Sequence, residues 1–211
     1  MKRVPAGLIV FGFGGHARSV ADIALASGIR HLVFVDEAVR PDETLLGFPA
    51  MTAFEEPLPE GWQAFPAAGD NRARFSQVRA IQARSWPLAT LISPSATIGV
   101  AAQVAPGSFI GHHAHVGPLS TIGTACIINT AAIIDHESQI GDYTHISVNS
   151  SVAGRCRIGS FVFLGTGSVV MDQISVTDSV RVGAGGVVIK ALVEPGTYVG
   201  VPVQKSRKNA D

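Results

Sequence analysis

Residues 135–164 read DHESQI GDYTHI SVNSSV AGRCRI GSFVFL, and each of these hexads ends on a branched aliphatic residue. The spacing continues in both directions, so that every sixth position from Ile92 to Val188 holds Ile, Val or Leu, seventeen times in succession. A period of six fits neither the 3.6-residue repeat of an α-helix nor the two-residue alternation of a strand. It predicts an architecture of many small stacked units.

A parallel β-helix is the architecture that this period favours, because each hexad supplies a short strand and a corner and three hexads close a triangular coil. The aliphatic residues then point into the prism, and the coils stack at the strand spacing of about 4.8 Å. Seventeen hexads predict five to six coils, with glycine and small polar residues permitting the corner conformations. A β-sandwich of short strands is disfavoured, since it would need irregular turn spacing and alternating polar and apolar residues.

The two cysteines fit this repeat as core residues. Cys126 and Cys156 lie two positions before Ile128 and Ile158, a place where small side chains point inward. We predict buried thiols rather than nucleophiles. Beyond Val188 the repeat ends, and residues 205–211 are predicted to form a polar, frayed tail.

The beginning of the chain has a different pattern, in which strands alternate with helices. Apolar runs predict strands at residues 8–11, 31–35 and 63–67, and amphipathic stretches predict helices at residues 17–27 and 72–84. This order is typical of a small Rossmann-like α/β domain.

A glycine-rich turn follows the first predicted strand, and Asp36 ends the second. This arrangement is typical of nucleotide-binding βαβ units, although the glycine spacing falls short of the full dinucleotide fingerprint. A βαβ unit whose glycines only form a tight turn remains the alternative. We predict an α/β domain over residues 1–88 that binds a nucleotide-sugar, followed by a β-helix domain over residues 89–211.

Composition excludes several classes of function. Only 15% of residues are charged, 46% are hydrophobic and the formal net charge is zero. Charge-driven disorder and bulk attraction to nucleic acid or to an anionic membrane are therefore not expected. Apolar stretches are too short to span a bilayer, the first residues lack the core of a signal peptide, and two cysteines cannot form a disulfide framework. We expect a cytoplasmic protein without membrane insertion.

Three motifs together resemble one family over nearly the whole chain. They are Gly14-Gly15-His16-Ala17, Gly69-Asp70-Asn71-Arg72, and Asp135-His136-Glu137 within the repeat. The chain resembles the sugar acyltransferases of the NeuD/PglD group. The resemblance implies a left-handed β-helix, a homotrimer, acetyl-CoA as co-substrate and no metal. It also implies acetylation of the amino group of a nucleotide-linked 4-amino-sugar in the synthesis of bacterial surface glycans.

The resemblance also implies roles for individual residues in catalysis. His136 matches the general base, Glu137 the acid that orients it, and Gly154 a glycine whose N–H meets the thioester carbonyl of acetyl-CoA. Asn129 and His145 match further polar residues of the active site, with His145 close to both the acceptor and acetyl-CoA. The residues that match the region holding the nucleotide-sugar are Gly14, Gly15, His16, Asp36 and Asp70.

The residue spacings, counted in coils of eighteen residues, are consistent with an active site shared between chains. Gly154 follows His136 by eighteen residues, one full coil, so both lie at one corner. Asn129 and His145 differ by sixteen residues and should be neighbours on adjacent coils. His136 and His145 differ by nine residues, half a coil, which predicts different sides of one prism. They can share a site only where prisms pack side by side, as in a trimer.

Other functions stay open at the level of sequence. A sugar hydroxyl could replace the amine as acceptor, because both need the same base and oxyanion donor. A hexapeptide-repeat metalloenzyme would draw on His112, His113 and His115, but the histidine spacing of such enzymes is not found, and a solvated turn facing an interface is expected there. A trimeric scaffold without catalysis is the fourth hypothesis.

Overall fold

The computed structural model describes residues 4–206; residues 1–3 and 207–211 lie outside the described residues. The first part is a five-stranded sheet with strand order β3-β4-β2-β1-β5 and two helices. Its elements are β1 (Gly7–Phe11), α1 (Gly15–Ala26), β2 (Leu32–Val35), β3 (Thr44–Leu45), β4 (Phe48–Met51), β5 (Trp62–Pro66) and α2 (Asn71–Ala83). Strands β1, β2, β4 and β5 are parallel, and β3 is antiparallel to β4.

The α/β elements agree closely with the sequence prediction, except for the β3–β4 hairpin, which it missed. This hairpin turns at Leu46 and Gly47, both at positive φ, as a two-residue hairpin turn requires. Its strands are short and mostly half-buried or exposed, so they lack the apolar run that predicts a buried strand. Both helices begin earlier than predicted, because Gly14 and Asp70 are the N-cap residues.

The second part is a parallel β-helix whose strands form three faces. The first face contains β6 (Leu91–Ile92), β9 (Phe109–Ile110), β12 (Ile127–Ile128), β15 (His145–Ile146), β18 (Phe163–Leu164) and β21 (Val180–Val182). The second face contains β7 (Thr97–Ile98), β10 (His115–Val116), β13 (Ile133–Ile134), β16 (Ser151–Val152), β19 (Val169–Val170) and β22 (Val187–Val188). The third face contains β8 (Gln103–Val104), β11 (Thr121–Ile122), β14 (Gln139–Ile140), β17 (Arg157–Ile158) and β20 (Ser175–Val176).

Each strand of a face pairs with the strand one coil, or eighteen residues, away, for example Ile134 with Val152. The strands named above form faces of six, six and five, which confirms the prediction of five to six coils. Most of the repeated aliphatic residues form one buried core, and Cys126 and Cys156 lie in it as predicted.

Glycine has a different role at the corners from the one that the sequence suggested. Most corner residues with positive φ are not glycine; Ala131, Glu137 and Tyr143 are examples. The glycines after the aliphatic positions are needed instead because neighbouring coils approach closely. A Cβ atom on Gly117 would lie 2.7 Å from the backbone nitrogen of His136. Only at a few corners, such as Gly107, does the glycine itself adopt the left-handed conformation.

The end of the chain forms a short antiparallel pair rather than beginning the predicted tail at residue 205. Strand β23 (Gly196–Gly200) continues the first face beside β21, and β24 (Val203–Lys205) pairs with β23. The Nζ atom of Lys205 lies 2.6 Å from a carboxylate oxygen of Glu194. The prediction was therefore wrong for Lys205, and the remainder of the predicted tail from residue 207 lies outside the described residues.

The α/β domain packs on the first face of the β-helix. Leu91, Phe109 and Ile127 of that face share a hydrophobic core with α1 and the sheet. Arg74 of α2, 1% exposed, reinforces this contact by donating to the carbonyls of Ala125 and Tyr143, at corners of adjacent coils. Within residues 4–206 no helix is both long and apolar enough to cross a bilayer.

Candidate active site

The first group of predicted site residues lies at the corner between the second and third faces. His136 follows β13, and its Nδ1 atom lies 3.1 Å from a carboxylate oxygen of Glu137. Glu137 occupies the left-handed position of the corner, with φ 58°, which turns its side chain back toward the ring. A carboxylate accepts, so in the neutral imidazole Nδ1 carries the proton and Nε2 keeps its lone pair.

Gly154 lies one coil further along the same corner, as predicted. A Cβ atom there would lie 2.5 Å from Nε2 of His136 and 3.0 Å from Oδ1 of Asp172. Glycine is therefore the residue that leaves room for the imidazole. No backbone carbonyl among the described residues accepts from the N–H of Gly154, which is buried beside the His136 ring.

Asp172 is a neighbour of His136 that the sequence analysis did not single out. Its carboxylate accepts from Nε2 of Gln173 at 2.6 Å and from the guanidinium of Arg155 at 3.2 Å. These hydrogen bonds, led by Gln173, hold the pKa of Asp172 below its usual value, and His136 contributes in the same direction. The sequence could have predicted this neighbour, because Asp172 follows Gly154 by eighteen residues, one full coil.

The second group, Asn129 and His145, lies where the first and second faces meet and is joined by Gly69 and His16. The Asn129 amide is fixed because its oxygen accepts from the Thr130 N–H at 2.8 Å, so its Nδ2 donates to Nε2 of His145 at 3.3 Å. Nδ1 of His145 then donates to the Gly69 carbonyl, also at 3.3 Å. These contacts confirm that Asn129 and His145 are neighbours, and they define a neutral His145.

Burial keeps both histidines of this group neutral. It lowers the pKa of His145 to about 4, assisted by the charges of Arg74 and Arg181. It lowers the pKa of His16 to about 3, with smaller contributions from His145 and Arg74. The His16 ring packs edge-on against Phe109, with centroids 4.7 Å apart, and its buried Nε2 has no hydrogen-bond partner among the described residues.

The third group lies at the carboxyl edge of the α/β sheet. Asp36 accepts from the backbone N–H of Phe13 at 2.9 Å and from that of Ala38 at 3.0 Å, so it orders the glycine-rich loop. Gly14 and Gly15 are exposed, and a Cβ atom on either would meet no atom within 4 Å. A cavity of about 480 Å³ lies beside Asp36.

Asp70 is occupied in a structural role. Its Oδ1 atom accepts from the backbone N–H groups of Arg72 and Ala73, both at 2.9 Å, which caps α2. A groove of about 460 Å³ begins at this cap and runs along the first face past His145.

The predicted site residues therefore fall into three places within one chain. His136, Glu137 and Gly154 meet at one corner, while Asn129, His145 and His16 meet on another side of the prism. Asp36, Gly14 and Gly15 lie near the edge of the α/β sheet. The prediction that His136 and His145 lie on different sides of one prism is confirmed, since β13 and β15 belong to different faces.

The histidines of residues 112–115 bind different partners. His112 links the coil to α1, with Nε2 3.0 Å from a carboxylate oxygen of Asp22 and Nδ1 2.7 Å from Ser93 Oγ. His115 contacts Thr97 Oγ1 at 2.7 Å on the second face. His112 is thus a contact between domains rather than part of a purely solvated turn. Among residues 4–206 no three His, Cys, Asp or Glu side chains are grouped so as to hold a metal ion.

Comparison with known proteins identifies the family. A family model described as the PglD N-terminal domain matches residues 7–81, and one described as the GMPPB C-terminal domain matches residues 91–198. The acetyltransferase domain of PglB from Neisseria gonorrhoeae is 31% identical with a TM-score of 0.88, over 95% of this chain and 100% of that chain. This chain belongs to the hexapeptide-repeat sugar acetyltransferases.

One further structure supports this family assignment, and another supports the fold alone. PerB from Caulobacter crescentus, solved with CoA and GDP-perosamine, is 31% identical with a TM-score of 0.83, over 95% of this chain and 97% of that chain. WeeI from Acinetobacter baumannii shares the fold, at 20% identity and a TM-score of 0.88, over 94% of this chain and 99% of that chain. The predicted α/β domain followed by a left-handed β-helix is confirmed, and so is the enzyme class. A scaffold without catalysis and a metalloenzyme are correspondingly disfavoured.

Proposed function

We propose that this sugar acetyltransferase transfers the acetyl group of acetyl-CoA to the amino group of a nucleotide-linked amino-sugar. The ligands named for two relatives support this proposal. The PglB domain has been solved with acetyl coenzyme A, and PerB with CoA and GDP-perosamine. The amine is favoured over a hydroxyl because the Caulobacter crescentus relative is described as a perosamine N-acetyltransferase.

The observation that carries the mechanism is the orientation of His136. Its Nδ1 is tied to Glu137, and its Nε2 extends over Gly154. An acceptor amine placed against Nε2 can lose a proton to the imidazole while it attacks the thioester carbon. The carbon–nitrogen bond forms, the carbon–sulfur bond breaks, and the proton passes from the imidazolium to the leaving CoA thiolate.

The Gly154 N–H is proposed to stabilise the oxyanion that develops on the thioester oxygen. It lies at the same corner as the base, and no described backbone carbonyl accepts from it. A fixed donor of this kind needs no reorganisation during the reaction. Glu137 would stabilise the imidazolium through Nδ1–H, and Asp172, which faces the ring across Gly154, adds a second negative charge.

Direct transfer is favoured over an acyl-enzyme. Both cysteines are buried. Burial raises the pKa of Cys126 to about 12 and also raises that of Cys156. Neither thiol therefore supplies a thiolate at neutral pH. Two free thiols are compatible with the cytoplasm, where we propose that the enzyme acts.

A homotrimer with sites between chains is supported by the second face of the β-helix. This face exposes apolar side chains, including Ile133 at 42% and Val169 at 40%. Strand β13 of the face separates the corner that carries Asn129 from the corner that carries His136. If three such faces pack around a threefold axis, the His136 corner of one chain adjoins the Asn129 corner of its neighbour. His136 and His145 would then face one substrate.

The α/β domain is proposed to bind the nucleotide of the acceptor at residues 1–88. Gly14 and Gly15 present open backbone, and Asp36 lies at the carboxyl end of β2, where open α/β sheets bind ligands. The open space around the two glycines favours a site that a ligand approaches. It disfavours the alternative that the glycines only form a tight turn.

The proposed reaction is tested by incubating the full chain with acetyl-CoA and UDP-, GDP- or dTDP-linked amino-sugars. We expect thiol release with at least one of them, together with an acetylated product that resists hydroxylamine, as an amide does. A product that hydroxylamine cleaves would indicate O-acetylation. Thiol release no faster than acetyl-CoA hydrolysis with every acceptor would contradict the proposal.

A further inference from the structure

The groove between the N-terminus of α2 and the first face contains two arginines from different domains. Arg72 comes from α2 and Arg181 from β21, and the groove encloses about 460 Å³. His145 and Gly69 line it as well, so it is continuous with the cluster that contains Asn129 and His16.

Each arginine is oriented by an aromatic ring. The guanidinium carbon of Arg72 lies 4.1 Å from the ring centroid of Phe161, and that of Arg181 lies 4.7 Å from that of Phe163. Stacking on a ring fixes the plane of a guanidinium and leaves its N–H edge free to donate. Arg72 makes one long contact, 3.4 Å, with the hydroxyl of Ser179.

The two positive charges have no ionic partner among the residues that the structure describes. None of the ion pairs formed within residues 4–206 includes Arg72 or Arg181. The acidic side chain of the groove, Asp70, is engaged by the backbone of α2, and His145 is neutral because burial lowers its pKa to about 4. Two guanidiniums against one carboxylate leave the groove positive.

We infer that Arg72 and Arg181 together bind the diphosphate group of a substrate. A planar guanidinium presents parallel N–H donors that match phosphoryl oxygens, and two of them can hold both phosphates of a diphosphate. This inference rests on the proposed function, whose two substrates both carry a diphosphate. Because the groove is also lined by Asp70, which is predicted to lie in the region that holds the nucleotide-sugar, the nucleotide-sugar is favoured over acetyl-CoA.

The test uses Arg72→Gln, Arg181→Gln and the double variant, with Arg79→Gln as the control. Arg79 is an exposed arginine of the same helix that does not line the groove. The first measurement is titration of inorganic pyrophosphate into each full-length protein. We expect the double variant to bind pyrophosphate at least about tenfold more weakly than wild type, and the control to bind it normally. The affinity of wild type should also fall as salt rises.

The second measurement is steady-state kinetics with each substrate varied in turn. In the double variant the KM for the nucleotide-sugar should rise at least about tenfold, with kcat changed less than about threefold. The arginines are expected to bind the substrate equally well in the ground state and the transition state, so their loss weakens binding without slowing the chemical step. A rise in the KM for acetyl-CoA alone would assign the same diphosphate site to CoA. Arg181→Lys keeps the positive charge but loses the parallel N–H donors of the guanidinium, so its rise in KM should be intermediate.

Unchanged pyrophosphate affinity and unchanged KM values in the double variant, relative to Arg79→Gln, would overturn the inference. Absence of pyrophosphate binding to wild type would do the same. Because the pyrophosphate titration needs no turnover, it decides the inference even if no amino-sugar is acetylated, and so separates its failure from failure of the proposed function.

Discussion

The Nε2 atom of His136 lies 2.5 Å from the point that a Cβ atom on Gly154 would occupy. Ordinary contacts of a Cβ atom are about 1 Å longer, so any side chain at residue 154 must displace the imidazole. The first prediction follows from this contact. Gly154→Ala should lower kcat by at least about tenfold, because the base and the oxyanion donor move apart.

A double-mutant cycle, measured as unfolding free energy, tests whether the alanine at residue 154 acts on the imidazole of His136. If the alanine acts on the imidazole, its cost in unfolding free energy should shrink when His136 is also replaced by alanine. Gly15→Ala is the matched control for stability, because its Cβ atom meets nothing within 4 Å and the residue lies inside α1 rather than at its N-cap. An identical cost in both backgrounds would show that residue 154 acts through Asp172 or the backbone instead.

The second prediction concerns the base itself. His136→Ala should lower kcat by about 10² to 10⁴, the usual contribution of general-base catalysis, and leave the KM for acetyl-CoA nearly unchanged. The side chain is 40% exposed, so its removal should affect folding little. Steady-state kinetics at saturating acetyl-CoA make the measurement. A kcat within a factor of about five of wild type would exclude the base role.

Stability should depend on pH through the buried His145. Its pKa is lowered from 6.5 to about 4 by burial, so the unfolded chain binds this proton before the folded chain does. The contribution of neutral His145 to the free energy of unfolding is complete above about pH 6.5. It is lost as pH falls toward about 4, by at most about 3 kcal/mol. Denaturant unfolding at pH 7.5 and 5.0 measures this loss. His145→Asn should show a smaller loss than wild type; an equal loss would contradict the assignment.

Assembly should depend on the exposed apolar side chains of the second face. Ile133→Glu places a charge where three chains are proposed to meet, and burial of an unpaired charge is unfavourable. We expect sedimentation to show monomers, with β-structure retained and activity lost. Gln139→Glu, on the exposed third face, is the control and should remain trimeric. A fully active Ile133→Glu monomer would contradict the composite site.

The sequence predicted the β-helix accurately because its period depends on local geometry. Each coil repeats the same inward aliphatic residue, so the positions of Ile134 and Val152 follow from counting. The same counting correctly placed Gly154 beside His136 and Asn129 beside His145. The β3–β4 hairpin was missed because its short strands carry no such pattern.

Contacts between the two domains could not be predicted in this way. His16 belongs to the glycine-rich motif, yet its ring packs on Phe109, which is 93 residues away in the chain. Arg74 has the sequence pattern of a solvated helix residue, but it is buried because carbonyls of two coil corners converge on it. These roles depend on how α2 packs on the first face, and no local sequence period encodes that packing.

His136 of one chain and His145 of its neighbour are proposed to form one active site. Mixing the inactive variants His136→Ala and His145→Ala and allowing their chains to exchange tests it most directly. In each mixed trimer only one junction joins an intact His136 to an intact His145. Random assortment therefore predicts recovery of about a quarter of wild-type activity. No recovery above the separate variants, with mixed trimers demonstrated by mass spectrometry, would contradict the claim.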